Sequence, residues 1–484
     1  MVNRQNIPII FSYFTMAILF ILTINNGFFW DTVQLGSKHA NHYYTLNFST
    51  LLLPDSIDSG HIPAFGMYLA IIWKLLGRSL IASHLAMLPF IFGVLWQLHK
   101  LSARFVKKEY AGWVMLLVFL DPSLLSQLTL MSPDVLLVFF FLMGLNSIWG
   151  NKRFLLSLSI ALLFLTSMRG MMLSLCLLIV DIIKNIAFSR SFRVTFVALV
   201  KRSLIYMPAL LIFISFSAYH YIEKGWIGYH EDSPWAALFA RVGVEGAIHN
   251  VGILGWRILD YGRIVIWGVF LVLLIKFRLG VFKIKEARLL YLLFIVILFL
   301  LPANMIWAKD LLGHRYLLPI YLSFSLLCAT ILFSLEMGRK LRIAMVSVWL
   351  IVIISGNFWV YPEKISQGWD STLAHLPYYK TRLQALEYLD KNGIAFSEVQ
   401  SFFPNVPMID DIDLNDDKRQ LVDFDNGCDY VLYSNVFNIS NNDYDLIRNQ
   451  YSVIKQFRRG WVYIDICKKN NVPHQAILEQ EGIN

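Results

Sequence analysis

The chain has 484 residues, of which 57% are hydrophobic and only 15% are charged, whereas soluble domains are about 45–50% apolar and about 25% charged. Together with a mean hydropathy of +0.56, this composition excludes a soluble protein, because a soluble fold of this length cannot bury so much apolar surface. The net charge of +9 does not indicate a nucleic-acid-binding protein. The basic residues form short clusters between apolar runs, as the positive-inside rule predicts.

The apolar runs predict a series of membrane-spanning helices, because a helix of about 20 residues crosses the hydrocarbon core of a bilayer. The first run is followed by Asn25-Asn26-Gly27 and not by a small-residue cleavage site. We therefore interpret it as a retained span and not as a removed signal peptide. In chain order, the runs cover residues 7–25, 63–76, 80–98, 110–130, 133–149, 153–168, 170–187, 203–221, 261–277, 289–304, 315–335 and 342–358.

The orientation of the chain follows from its basic clusters, which should face the cytoplasm. A full crossing by run 63–76 would place every later cluster outside, and apolar segments of about 10–14 residues are more often re-entrant than spanning. We predict a polytopic α-helical protein with about eleven transmembrane helices, one half-embedded outer-face helix and a cytoplasmic N-terminus. The basic clusters lie at residues 100–108, 152–153, 190–202, 276–288 and 339–342.

The polar region after the last run predicts a second domain. We expect a transmembrane domain over residues 1–358, with outer loops 26–62 and 222–260, and a small extracytoplasmic α/β domain over residues 359–484. Cys428 and Cys467 in this domain either pair in an oxidising compartment or stay free thiols. Helical spacing covers Tyr378–Asn392, and strand-like runs cover Tyr430–Tyr433, Tyr451–Phe457 and Trp461–Ile466.

Two carboxylates are the first candidates for chemistry. Asp31 comes directly after the first span, where an acidic residue is ordinarily just the first solvated position. Asp134 begins a helical run, where a carboxylate ordinarily stabilises the helix dipole by about 0.3–1 kcal/mol. The predicted topology places both at the same depth on the outer face, so together they form a candidate general-base site.

Four basic residues are predicted at the same level. His61 precedes the half-embedded helix, Arg169 interrupts an otherwise apolar stretch, and Lys309 and Arg315 flank the start of the tenth span. Guanidinium groups suit phosphate, so Arg315 is a candidate for holding a lipid phosphate. The ordinary alternatives are a structural histidine, an arginine in an outer turn, and long basic side chains that reach toward the interface.

The order of these motifs resembles the GT-C superfamily of polyprenyl-phosphate-sugar-dependent glycosyltransferases. Within it, the nearest groups are the dolichyl-phosphate-mannose–protein mannosyltransferases and the bacterial lipid A aminoarabinose transferases. The resemblance covers about residues 1–335. It is carried, in chain order, by Trp30-Asp31, His61-Ile62-Pro63, Leu75-Leu76-Gly77-Arg78-Ser79, Ser132-Pro133-Asp134 and Arg315-Tyr316-Leu317-Leu318-Pro319.

The resemblance implies an inverting enzyme with Asp31 and Asp134 as the catalytic carboxylates. It implies that His61 and Arg315 lie beside the carrier phosphate, with Arg169 as a looser match. Lys309 is a further candidate for binding the phosphate because it lies close to Arg315 in the sequence. Many members have an Asp-Glu pair in the first loop, where this chain has Asp31-Thr32. No cofactor is implied with certainty, and a divalent cation held by the carboxylates stays an open alternative.

The implied partners are a polyprenyl-phosphate sugar donor, membrane lipids and an acceptor that is a lipid-linked glycan, a lipid A-like molecule or a protein. The absence of long low-complexity tails favours a bacterial inner membrane over an endoplasmic reticulum membrane. A transporter or flippase of lipid-linked glycans is the alternative from another class. Transporters often carry inverted repeats, and the two halves of this sequence do not correspond.

Overall fold

A computed structural model describes residues 4–185, 192–231, 233, 236, 240–309 and 313–470. Part of the predicted basic cluster at 190–202 lies outside these residues. The chain forms two compact units. The first contains the residues up to Trp359 together with Asp370–Leu373, and the second contains Val360–Trp369 and the residues from Ala374 onward.

The first unit is helical. Its first helix is followed by a π-helical turn at Val33–Lys38. The helices are Ile7–Thr23 (α1), His39–Thr45 (α2), Ala64–Leu76 (α3), Leu80–Phe105 (α4), Lys108–Phe119 (α5), Pro122–Leu128 (α6), Pro133–Trp149 (α7), Arg153–Thr166 (α8), Met168–Asn185 (α9), Phe192–Ser203 (α10), Met207–Lys224 (α11), Val244–Leu259 (α12), Ile264–Phe277 (α13), Gly280–Lys283 (α14), Arg288–Leu300 (α15), Leu318–Ser334 (α16) and Arg339–Ser355 (α17).

Several of these helices have the length and composition of membrane spans. In the described part of the chain, 5 are long and apolar enough to cross a bilayer, and the number rises to 7 if each of two bent helix pairs is one span. The predicted total of about eleven also includes shorter apolar helices and stays a prediction. Helix α3 has 13 residues, which span about 20 Å and so fall short of the ~30 Å hydrocarbon core.

The run 110–130, which is predicted to be one span, forms two helices and not one continuous helix. Helices α5 and α6 meet at an angle of 79°. Asp121 ends the first helix and caps the second, because its carboxylate accepts a hydrogen bond from the backbone N–H of Ser123 at 2.9 Å. Pro122 follows at the first helical position, where its missing N–H costs no hydrogen bond. The bend turns the polar side chains of α6 toward the backbone of Asp370 and Ser371, with which they form hydrogen bonds.

The predicted outer loop 222–260 contains a helix. Its second half forms helix α12, which joins α13 at an angle of 82°. Gly262 in the joint has φ of +80°, and a Cβ there would lie 2.3 Å from the backbone oxygen of Val352. Glycine is therefore required at this corner by both backbone conformation and close packing.

The second unit contains a five-stranded sheet in the order β2-β1-β3-β5-β4. The predicted helix over 378–392 is present as Tyr378–Lys391 (α18), and the predicted strand-like runs 451–457 and 461–466 lie in an antiparallel pair of strands, Tyr451–Arg459 and Val462–Lys469. Both Cys428 and Cys467 are free thiols, which is the second of the two predicted alternatives. The remaining elements are Val399–Ser401 (β1), Ile409–Asp413 (α19), Val422–Asp423 (β2), Tyr430–Ser434 (β3), Asn441–Gln450 (α20), Tyr451–Arg459 (β4) and Val462–Lys469 (β5).

Candidate active site

A cavity of about 170 Å³ lies within the first unit, and we call it the site cavity. Its wall combines charged groups with a larger apolar surface from three methionines, two prolines, Leu35 and Phe65. An apolar wall with a few convergent polar groups is typical of a small-molecule site. The polar and charged lining residues are Asp31, His39, Ser59, His61, Asp134, Thr166, Ser167, Arg169, Arg241, Asn304 and Tyr316.

Arg315 is the centre of the charged part of the site. Its guanidinium forms ion pairs with Asp31, with Asp134 at 3.7 Å and with Asp370 at 3.0 Å. Only 7% of the arginine side chain is exposed. Because a guanidinium presents five N–H donors in a rigid fork, one side chain fixes three carboxylates that come from three distant parts of the sequence.

Asp134 is held from two sides. Besides Arg315, its carboxylate contacts the Arg169 guanidinium at 2.5 Å, and 2% of its side chain is exposed. Its backbone N–H is capped by the Ser132 hydroxyl at 3.1 Å, which fixes the first turn of α7. The Arg169 guanidinium also lies over the Tyr316 ring, 4.5 Å from the centroid. Asp134 is thus paired with two guanidinium groups and is not freely accessible as a base.

Asp31 is the more accessible carboxylate. It lies where the chain leaves α1, in a turn closed by the Thr32 hydroxyl, which bonds the backbone of Phe29 at 2.7 Å. The Tyr316 hydroxyl donates to Asp31 at 3.3 Å. The Asp31 side chain is 20% exposed, whereas that of Asp134 is 2% exposed. Asp31 is therefore the carboxylate of this pair best placed to meet a molecule in the site cavity.

His61 reaches the site cavity from a loop that is held by a buried carboxylate. The Asp58 side chain accepts a hydrogen bond from the Gly60 N–H at 2.8 Å and pairs with His220 at 3.1 Å and Lys224 at 2.6 Å. Burial lowers the pKa of His61 to about 4, and the positive charge of Arg169 adds to this shift. His61 is therefore neutral at pH 7 and adds no positive charge beside the predicted position of the carrier phosphate.

Lys309 does not belong to the site. Its side chain is exposed and does not line the site cavity. Its backbone N–H bonds the oxygen of Ala240 at 2.8 Å, beside the bridge that pairs Arg241 with Ala308. This extended pairing directs the lysine away, and it brings in Arg241 instead. The structure thus gathers Asp31, His61, Asp134, Arg169 and Arg315, and leaves Lys309 out.

Two site residues were missed by the sequence analysis. Arg241 lines the site cavity, and among the described residues it has no ion pair with a carboxylate. Asp370 comes from the polar region that was assigned to the second domain, but it belongs to the first unit. Neither residue lies in a periodic or motif-like stretch, so sequence patterns carry no signal for them.

The carboxylates do not fit a divalent cation. Among the described residues, no group of three or more His, Cys, Asp or Glu side chains is placed to hold a metal ion. Asp31, Asp134 and Asp370 instead converge on the Arg315 guanidinium. A metal ion at this point would meet the fixed positive charge of Arg315.

The fold is similar to that of a solved structure. The chain is similar to ArnT from Cupriavidus metallidurans bound to undecaprenyl phosphate, with a TM-score of 0.50 and 12% identity over 96% of this chain and 98% of the other. The same protein in the apo state matches with a TM-score of 0.49 and 12% identity, over 95% of this chain and 97% of the other.

This likeness agrees with the fold that the sequence resemblance implies. No family model matches the chain, and no curated protein matches it. At 12% identity the likeness concerns the fold, and the chemistry must be argued from the site itself.

Proposed function

We propose that this chain is an integral-membrane glycosyltransferase. It moves a sugar from a polyprenyl-phosphate carrier to an acceptor hydroxyl on the extracytoplasmic face of a bacterial inner membrane. The acceptor class is a lipid-linked glycan, a lipid A-like molecule or a protein. The observation that carries the proposal is the Arg315 cluster: an accessible carboxylate, Asp31, is fixed beside guanidinium groups on an apolar-walled cavity.

The reaction needs a base and a stabilised leaving group. The acceptor oxygen attacks the anomeric carbon and forms the new glycosidic bond, while the carbon–oxygen bond to the phosphate breaks and its electron pair leaves with the phosphate. Asp31 takes the hydroxyl proton. General-base catalysis of this kind accelerates a reaction by about 10²–10⁴-fold. Direct displacement from the opposite side inverts the anomeric centre.

The leaving phosphate carries negative charge that must be matched by fixed cations. Arg169 and Arg241 both line the site cavity, and Arg241 has no carboxylate partner among the described residues. We assign the phosphate to these two side chains, with Arg315 behind them. ArnT bound to undecaprenyl phosphate supports a polyprenyl chain as the carrier, and the apolar wall suits its hydrocarbon.

The direct test is sugar transfer by the purified protein. Labelled undecaprenyl-phosphate monosaccharides, both hexose and pentose, are mixed with a membrane extract, and label in the acceptor fraction is counted. Asp31→Asn is expected to lower turnover about 100-fold or more because the base is lost. Asp134→Asn is expected to lower it strongly because Arg169 and Arg315 lose their shared anchor.

A matched control for charge loss is Asp390→Asn, which changes an exposed ion pair with Arg419 and should leave transfer unchanged. Unaltered transfer in both site variants contradicts the proposed chemistry. Movement of the labelled lipid across a vesicle membrane without any covalent product would instead indicate a flippase.

A second expected result concerns the charge of His61. With a pKa of about 4, the imidazole stays neutral between about pH 6 and 8, so it adds no pH-dependent attraction for phosphate. The affinity for undecaprenyl phosphate is measured at both pH values in the wild type and in His61→Gln. The ratio of the two affinities should be equal in both proteins, because the phosphate's own titration is common to them. A gain at pH 6 that disappears in the variant would contradict this.

A further inference from the structure

Asp370 reaches the site through a short excursion of the chain. Residues Asp370–Leu373 belong to the first unit, although the residues on both sides belong to the second. The excursion is firmly held. Ser126 and Gln127 on α6 donate to the backbone oxygen of Asp370 at 2.8 and 2.7 Å. The Ser123 hydroxyl donates to the oxygen of Ser371 at 3.3 Å.

The Asp370 side chain contacts a specific atom of Arg315. Its carboxylate lies 3.0 Å from Nε, while the terminal nitrogens of the same guanidinium face Asp31 and Asp134. Nε is the donor nearest the aliphatic stem, so a partner there fixes the rotation of the planar group. The terminal nitrogens then have only one direction in which to point.

Arg315 has two other carboxylate partners besides Asp370. Asp31 and Asp134 already pair with Arg315 and Arg169, so Asp370 adds a third negative charge at an arginine that is already paired. Burial raises the pKa of Asp370 above its ordinary value, the Arg315 guanidinium opposes that shift, and the other two carboxylates add to it. A group kept at an electrostatic cost in this way is explained by what it orients.

We propose that Asp370 is a positioning residue for the transfer reaction. It holds Arg315 so that the guanidinium orients Asp31 and Asp134, and its negative charge weakens the hold of the site on the lipid phosphate that is released. This inference rests on the proposed function. It places part of the active site in a segment that the sequence assigns to the C-terminal domain.

The test is Asp370→Asn in the full-length protein, with two readouts that a purely structural residue would move together. Turnover is expected to fall about ten-fold or more, because the neutral amide of asparagine holds the Arg315 Nε–H more weakly than a carboxylate does, and Arg315 then orients the base less well. The affinity for undecaprenyl phosphate is expected to rise about three-fold or more, because one negative charge beside the anion is gone. Asp445→Asn, in an exposed pair with Lys364, should change neither quantity.

A third measurement does not depend on the proposed function. Thermal unfolding midpoints are compared for Asp370→Asn in the wild type and in the Arg315→Gln background. If Asp370 acts through Arg315, the change lowers the midpoint in the first protein and not in the second. Equal shifts in both backgrounds, a parallel loss of affinity and turnover, or unchanged turnover with unchanged affinity each overturn the proposal. Absence of transfer in the wild type overturns the proposed function alone.

Discussion

Replacement of Arg315 by methionine is expected to abolish sugar transfer and to lower the free energy of unfolding by about 3–5 kcal/mol. Only 7% of the Arg315 side chain is exposed. Its removal leaves Asp31, Asp134 and Asp370 close together without their common cation, and like charges at such distances destabilise a site strongly. The measurements are turnover with the labelled donor and the unfolding midpoint in detergent.

Arg315→Lys separates charge from geometry. The ammonium restores the positive charge but has no planar fork and cannot serve three carboxylates in fixed directions. We expect this variant to fold nearly as well as the wild type and to lose about 100-fold in turnover. Arg419→Met, at a 50% exposed ion pair, is the control and should cost less than about 1 kcal/mol. Turnover near the wild-type level in the lysine variant would contradict the proposed role of the guanidinium.

The sequence predicted the main carboxylates and arginines of the site for a physical reason. Residues at the ends of apolar runs must lie near a membrane surface, and counting the runs tells which residues share one surface. Asp31, Asp134, Arg169 and Arg315 all stand at such ends, and the structure brings all four into contact with one another or with a shared partner. Hydropathy thus predicted that these four residues lie close together, and their roles in the transfer reaction stay a prediction.

What the sequence did not predict was set by tertiary contacts. Lys309 and Arg241 lie in paired backbone segments, and the direction of their side chains depends on the bridge between Arg241 and Ala308. Asp370 reaches Arg315 from 55 residues further along the chain, and loop closure over such a distance leaves no periodic pattern. No hydropathy window detects either arrangement.

The bend between α5 and α6 was missed although a local signal exists. Asp121-Pro122 inside the run 110–130 combines an N-cap residue with a proline at the first helical position, which marks a helix start. Mean hydropathy averages over this pair because its neighbours are apolar. The bend matters for function, because α6 supplies the side chains that hold the backbone of Asp370.

Removing one partner of the buried pair at this bend is expected to destabilise the protein by about 3–5 kcal/mol. The Arg263 guanidinium forms two bonds to the Asp121 carboxylate, at 2.6 and 2.8 Å, and donates to the Ser123 hydroxyl at 2.7 Å. It also lies 3.7 Å over the Tyr321 ring. Arg263→Met leaves the Asp121 charge buried without its cation.

The double variant Asp121→Asn/Arg263→Met identifies the cause of that loss. Asparagine keeps a side-chain oxygen to cap α6 and has no charge, so the double variant should recover at least half of the stability lost in Arg263→Met. Additive losses in the two single variants, measured by thermal unfolding, would contradict a charge-pair origin. Because Ser126 and Gln127 on α6 hold the backbone of Asp370, and Ser123 holds that of Ser371, transfer activity should fall and recover together with stability across the same three variants.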